Sequence, residues 1–293
     1  MSDVATLQIT PSDAPVGAVV DGIDLGRAMD DATFREVDAA YCKYGVLVFR
    51  GQDLTERQLI AFTERFGAVE RYVRNHYALP GYPEILVVSN VIENGHNIGL
   101  ADAGATWHTD MSYIPAPPRG TILHAREIPV KGGMALGDTL FASTGAAYDD
   151  LPDDLKRRLD GARTTHSYEA KHARRAREGK SNRKPLSAEE RAALPPVDHP
   201  VIRRHPVTGR KCIFVVAGEC TGITGMTDAE AEPLLESLAL RCTRPEYVYR
   251  HRWRAGDVVM WDNCLVQHLA IQDYALPHRR LIWRTTVAGS VPV

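Results

Sequence analysis

Apolar and polar positions along this chain change texture near residue 80. Before that point helical and strand periods alternate. Residues 17–25 hold apolar positions around Asp21-Gly22, a dipeptide that favours positive φ, and the pattern predicts a strand pair turning there. Asp30 and Asp31 then offer N-caps to an amphipathic helix running through Tyr41. Residues 45–49 are a short apolar run ended by Arg50-Gly51, as a buried strand requires. Thr55-Glu-Arg-Gln58 has the capping-box form, and Leu59, Phe62 and Phe66 follow at helical spacing up to Gly67.

From about residue 83 short β-branched runs separated by Gly, Pro and Asn take over: 85–88, 121–125, 213–216, 258–261 and 282–287. Many short strands with turn signals between them predict a sandwich or barrel, so the fold class is mainly β with flanking helices (α+β). Two helices interrupt the pattern, one at 151–159 and one opening on the capping box Thr227-Asp-Ala-Glu230 and running to about Cys242. No internal repeat and no linker is visible, so residues 1–293 read as a single domain.

Composition narrows the partners. With 44% apolar residues, 25% charged residues and a net charge of −2, nothing points to nucleic acid or an anionic membrane. No apolar run approaches the roughly 20 residues that span a bilayer. The first residues lack a charged region followed by an apolar stretch, so no secretory signal is expected. Five scattered cysteines without a C-x-x-C pair argue against a disulfide framework or a thiolate zinc site, and a cytoplasmic protein is expected. One segment stands apart: residues 171–184 carry seven Lys/Arg against one Glu. A solvated helix or loop is the ordinary reading. The functional one is a basic lid near 166–196 that draws an anionic substrate to a site.

The chemistry concentrates in Trp107-His108-Thr109-Asp110. Residues two apart on a strand project to one face, so His108 and Asp110 can meet at one point. With one further His they form a 2-His-1-carboxylate facial triad, which leaves positions open for non-haem Fe(II) oxygen chemistry. His268 follows the run 256–263, and Arg279, Arg280 and Arg284 follow His268. An oxoacid that chelates iron needs a fixed planar cation for its distal carboxylate, a task for Arg. Arg280 and Arg284 differ by an even number and share a face on a regular strand, whereas Arg279 points away as a surface charge. His124, His166 and His205 are expected to be non-ligands. The four Trp residues are expected in the core. Asp262 and Asn263 either support the loop carrying His268 or simply form a turn.

These motifs, together with Gly137-Asp-Thr-Leu140, Tyr249-Arg-His-Arg-Trp253 and Trp261-Asp-Asn263, make nearly the whole chain resemble the taurine dioxygenase and 2,4-dichlorophenoxyacetate dioxygenase family of Fe(II)/2-oxoglutarate oxygenases. The resemblance implies a double-stranded β-helix, a distorted jelly roll. It assigns His108, Asp110 and His268 to iron as metal ligands and catalytic residues, and Thr139 and Arg280 to 2-oxoglutarate. Arg284 matches the position that pairs with the substrate anion. It implies a homo-oligomer as well, a dimer or tetramer. Departures are present too. Gly104 stands where taurine dioxygenase has a substrate-binding Asn, and a second substrate His falls near Tyr72 or Val73, with His76 displaced. The stretch 131–138 is about four residues longer than usual.

The implied reaction consumes Fe(II)-bound 2-oxoglutarate and O₂, releases succinate and CO₂, and hydroxylates the C–H that the protein holds nearest. A small anionic substrate is expected: a sulfonate, sulfate ester or aryloxyalkanoate, but not simply taurine. A natural-product or amino-acid tailoring hydroxylase is the alternative, and a cupin-like binding protein with a vestigial metal site is the third. Asp110 argues against halogenation, and the complete triad with Arg280 argues against a binding relic.

Overall fold

In a computed structural model of the chain, residues 7–72, 76–179 and 185–293 are described. The centre is an eight-stranded sheet. Its order is Gln8–Pro11, Ala18–Asp21, Val46–Phe49, Val258–Asp262, Gly120–Glu127, Leu281–Val287, Tyr82–Ser89 and Ala78–Leu79. All neighbours are antiparallel except Ala18–Asp21 beside Val46–Phe49.

Both faces of this sheet are covered, which explains the unbroken apolar run at 46–49. Successive side chains point to opposite faces. Leu47 and Phe49 join one core with Ile122, Met260 and Val258, capped by helices Asp31–Tyr44 and Glu56–Glu64 through Val37, Tyr41, Leu59 and Phe62. Val46 and Val48 join the opposite core with Leu123, Val259 and Ile282. That second core is closed by Phe141 and Val266, which belong to a three-stranded sheet of Val248–His251, Thr139–Ser143 and Val266–Ala270. Its middle strand is Thr139–Ser143. A Phe49→Ala variant is therefore expected to lose about 3–5 kcal/mol, the usual cost of emptying an aromatic core site. The measurement is a lower urea midpoint at unchanged slope; a loss under about 1 kcal/mol would mean the site collapses without penalty.

All three predicted caps form. Asp30 accepts from the Thr33 backbone N–H at 2.8 Å, and Thr55 with Gln58 makes a reciprocal capping box. Thr227 and Glu230 do the same for helix Asp228–Cys242. The predicted strand pair at 17–25 does not form. Ala18–Asp21 pairs backward with Gln8–Pro11, and Gly22 only leads the chain out of the sheet. A turn dipeptide supplies a bend, but pairing went to the strand that could cover the edge of the sheet. The predicted run 213–216 is a strand only over Lys211–Ile213. The long stretch before Asp138 is a small hairpin, Val130–Lys131 with Met134–Ala135, turning on Gly132 and Gly133 at φ 58° and 80°. All five cysteines are free and buried. Among the described residues no helix is long and apolar enough to cross a membrane.

Candidate active site

Two segments distant in sequence meet at the predicted triad. His108 donates its backbone N–H to His268 O at 3.1 Å, and His268 returns one to His108 O at 2.9 Å. This reciprocal pair sends both imidazoles to the same side, with ring centroids 4.0 Å apart. His268 is held in turn by its strand, whose partner residue is Phe141. The expected strand through 107–110 shrinks to a single bridge at His108. The chain then turns at once, with Met111 at φ 47°. Asp110 reaches the triad from this turn, its backbone N–H donating to Asn263 Oδ1 at 3.4 Å.

Nε2 of His108 and Nε2 of His268 lie 3.7 and 3.9 Å from Asp110 Oδ1. Those separations exceed a hydrogen bond but suit ligands around one ion, and all three side chains are buried. Among the described residues this is the one group of three His, Cys, Asp or Glu placed closely enough to hold a metal, its ligand atoms lying within 4.8 Å of each other. Protonation suits the task. Nδ1 of His108 lies 2.8 Å from Thr106 O. A carbonyl only accepts, so the proton sits on Nδ1 and the Nε2 lone pair faces Asp110. Burial, followed by the neighbouring His108, pushes the His268 imidazole well below its ordinary pKa. Burial alone would raise Asp110. Arg284, then His268 and His108, overcome it and hold the carboxyl well below its usual range. Two imidazoles and one carboxylate form the donor set of a divalent first-row ion with positions left open.

The supports are equally fixed. Asp110 Oδ2 accepts from Thr121 Oγ1 at 2.6 Å. Trp261 Nε1 donates to Asn263 Oδ1 at 3.0 Å, and the Trp261 ring packs 4.6 Å from the His268 ring. Asp262 accepts from buried His205 at 2.9 Å and from the Cys264 backbone N–H at 2.7 Å. Asn263 thus supports the Asp110 turn directly, while Asp262 shapes the turn that precedes His268. His205 is a structural partner here, as expected, and His124 bonds to Gln52 O.

Two cavities meet at the triad. The inner one, about 50 Å³, runs past His268 and Trp261 to Thr139, Tyr274 and Arg280. The outer one, about 190 Å³, is lined by Asp110, Tyr113, Tyr168, Lys171 and Arg175. Gly104, His108 and Arg284 line both. Arg280 is buried between the rings of Tyr274 and Trp253, at 5.2 and 5.6 Å, and donates to Gly137 O. Gly137 has φ 77°, and a Cβ there would collide with the guanidinium. Thr139 Oγ1 accepts from Trp253 Nε1 at 3.0 Å. Arg279 pairs with Glu127 at the surface, as expected, but it and Arg280 precede the strand Leu281–Val287 rather than lying on it. Arg284 lies in the outer and inner walls at once, with Nη2 3.1 Å from Asp110 Oδ1.

Sequence reasoning did not single out Tyr113, Tyr168, Glu219 or Tyr274. None belongs to a spacing motif, and only the turn after Asp110 and the helix Tyr168–Arg177 bring the first two together. Of the positions where taurine dioxygenase has substrate ligands, Gly104 opens a wall at φ 75°, and Tyr72 lines the outer cavity. Exposed His76 packs at a tilt against Tyr77, and Val73 is outside the described residues.

The sequence matches the family described as taurine catabolism dioxygenase TauD, TfdA family over residues 8–286. It is 38% identical to an alpha-ketoglutarate-dependent 2,4-dichlorophenoxyacetate dioxygenase of Burkholderia sp. (strain RASC), over 92% of this chain and 90% of the relative. It is 34% identical to pentalenolactone F synthase of Streptomyces arenae, over 94% and 93%. A crystal structure of AAD-2 in complex with Mn(II) and N-oxalylglycine superposes with a TM-score of 0.79 at 31% identity, covering 98% of this chain and 99% of that one.

Proposed function

The chain belongs to the taurine catabolism dioxygenase TauD, TfdA family, and from that premise we propose that it is an Fe(II)- and 2-oxoglutarate-dependent dioxygenase hydroxylating a C–H of a small anionic organic substrate. The observation that carries this reading is the pair of cavities joined at one His-Asp-His triad. The inner cavity ends on the buried cation Arg280; the outer one opens beside Arg284. When bound, Fe(II), 2-oxoglutarate and O₂ supply an oxidative decarboxylation to succinate and CO₂ and an oxidant able to cleave a C–H bond.

The chain's own residues do the placing. His108, Asp110 and His268 hold the ion. Arg280 and Thr139 take the distal carboxylate of 2-oxoglutarate, Arg280 as a planar fork fixed between two rings. Arg284 pairs with Asp110 Oδ1 at 3.1 Å and its guanidinium also lines the outer cavity. There it anchors the substrate anion and selects which carbon lies nearest the oxidant. The aromatic walls, Tyr113 and Tyr168 with centroids 4.7 Å apart, favour an aryloxyalkanoate over a short alkyl sulfonate.

The same reading takes residues 1–293 as one domain with a double-stranded β-helix, supported by two sheets that share one core. It takes helix Tyr168–Arg177 as part of a basic lid, supported by Tyr168, Lys171 and Arg175 in the cavity wall; residues 180–184 of that segment are outside the described residues. A cytoplasmic homo-oligomer is retained with it.

The test is succinate release by the Fe(II)-loaded protein over a panel of aryloxyacids, alkyl sulfates, sulfonates and phosphonates. At least one aryloxyacid is expected to raise succinate above the substrate-free background. An Arg284→Gln variant is expected to raise the KM for that acid by about 30-fold or more, the low end for truncating a buried charged partner. A panel in which no anion raises succinate would sink the reading. Turnover only with a neutral terpenoid or lactone would move it to natural-product tailoring, the reading that the likeness to pentalenolactone F synthase supports.

A further inference from the structure

Glu219 is a buried carboxylate, 2% exposed, that the reaction as derived does not use. It lies in the short turn after Val216, far in sequence from the triad, and both of its oxygens are taken. Oε1 is 2.8 Å from Lys171 Nζ, and Oε2 accepts from Ser112 Oγ at 2.8 Å. These partners belong to different parts of the site. Ser112 stands two residues after Asp110, inside the turn that presents it. Lys171 lies on helix Tyr168–Arg177, lines the outer cavity and sits 5.3 Å from the Tyr113 ring centre.

The rest of that turn receives the same helix. The backbone N–H of Ser167, the helix N-cap, donates to Glu219 O at 2.8 Å, and Arg174 donates to Ala217 O. Positions 167, 171 and 174 are three and four apart, so they form one face. Positions 168, 172 and 175 form the neighbouring face, and it lines the outer cavity. The helix therefore has a seating face and a cavity face, and Lys171 serves both.

We propose that Glu219 is a positioning residue that couples the cavity-lining helix to the Asp110 turn, so that the wall of the outer cavity and the metal-ligand turn are held or released as one unit. A carboxyl group with two directional partners fixes both more firmly than either contact fixes one. Without it, Lys171 loses its carboxylate partner beside the outer cavity, and Ser112 loses the acceptor that pins the turn. The catalytic consequence rests on the outer cavity being the substrate's seat, as proposed above; the coupling itself does not.

Hydrogen exchange on the full-length protein reads that coupling without any substrate. In Glu219→Gln the amides of helix 168–177 and of turn 110–113 are expected to exchange together, each at least about fivefold faster, the low end of site-to-site coupling. Strand 120–127 serves as the reference for global stability and stays unchanged. In Ser112→Ala, which removes the hydroxyl that donates to Glu219 Oε2, helix 168–177 is expected to lose protection as well. Faster exchange in the helix alone, or no change in the helix of Ser112→Ala, would overturn the proposal. If the succinate panel fails while both variants behave as stated, the substrate reading falls and the coupling stands.

Discussion

A His108→Ala variant is expected to lose at least about a thousandfold in turnover, more than the 10–100-fold typical of a residue that merely supports a ligand. Binding of Mn(II) or Co(II), followed by titration calorimetry, is expected to weaken with it. The reason is geometric. His108 is locked by its Nδ1–H on Thr106 O and by two backbone bonds to His268, so its Nε2 position cannot be filled by a neighbour. His268 and Asp110 alone leave two ligands, too few to hold a labile divalent ion in water. The companion variant Asn263→Ala separates ligand from support. Asn263 Oδ1 receives both the Asp110 backbone N–H and Trp261 Nε1, so its loss loosens the turn without removing a donor. Metal affinity is expected to fall by about 10–100-fold there. Equal behaviour of the two variants, or full activity of His108→Ala, would show that the triad is assigned wrongly.

What the sequence made legible follows from range. The helices at Asp31–Tyr44, Glu56–Glu64 and Asp228–Cys242 were readable because their caps and periods are local. The strand Val46–Phe49 was readable because burial on both faces leaves a continuous apolar run. Strand partners were not readable. The choice of Gln8–Pro11 as partner for Ala18–Asp21 depends on which edge is open, and no local signal carries that. The same divide runs through the site. His108, Asp110, His268, Thr139, Arg280 and Arg284 stand in recognisable motifs, and the cavities gather all six. The route to Asp110 was misread, since H-x-D suggests a strand where the chain makes a bridge and then a turn. Glu219 and Tyr274 had no motif at all; contacts made after folding single them out, at Lys171 for one and at Arg280 for the other.

The second large effect is expected at Arg280. A guanidinium this deeply buried is costly unless something anionic repays its lost hydration. Burial pushes its pKa down, with Tyr274 and Asp138 opposing that effect. Within the protein it has Gly137 O and two ring faces. Its remaining N–H groups suit a carboxylate reaching in along the inner cavity, past Thr139. Arg280→Ala is therefore expected to raise the KM for 2-oxoglutarate by roughly 30-fold to several thousandfold, the equivalent of about 2–5 kcal/mol. Arg280→Lys is expected to recover little, because an ammonium cannot fill the flat slot between Trp253 and Tyr274. The decisive comparison uses 2-oxobutyrate, which keeps the chelating keto-acid end and lacks the distal carboxylate. The preference for 2-oxoglutarate over 2-oxobutyrate, taken as a ratio of kcat/KM, should collapse in Arg280→Ala. A general loss of stability would lower both substrates alike and leave that ratio in place. If the ratio survives in Arg280→Ala and collapses in Arg284→Gln instead, then Arg284 holds the cosubstrate, and the substrate anion must be sought at Lys171 and Arg175.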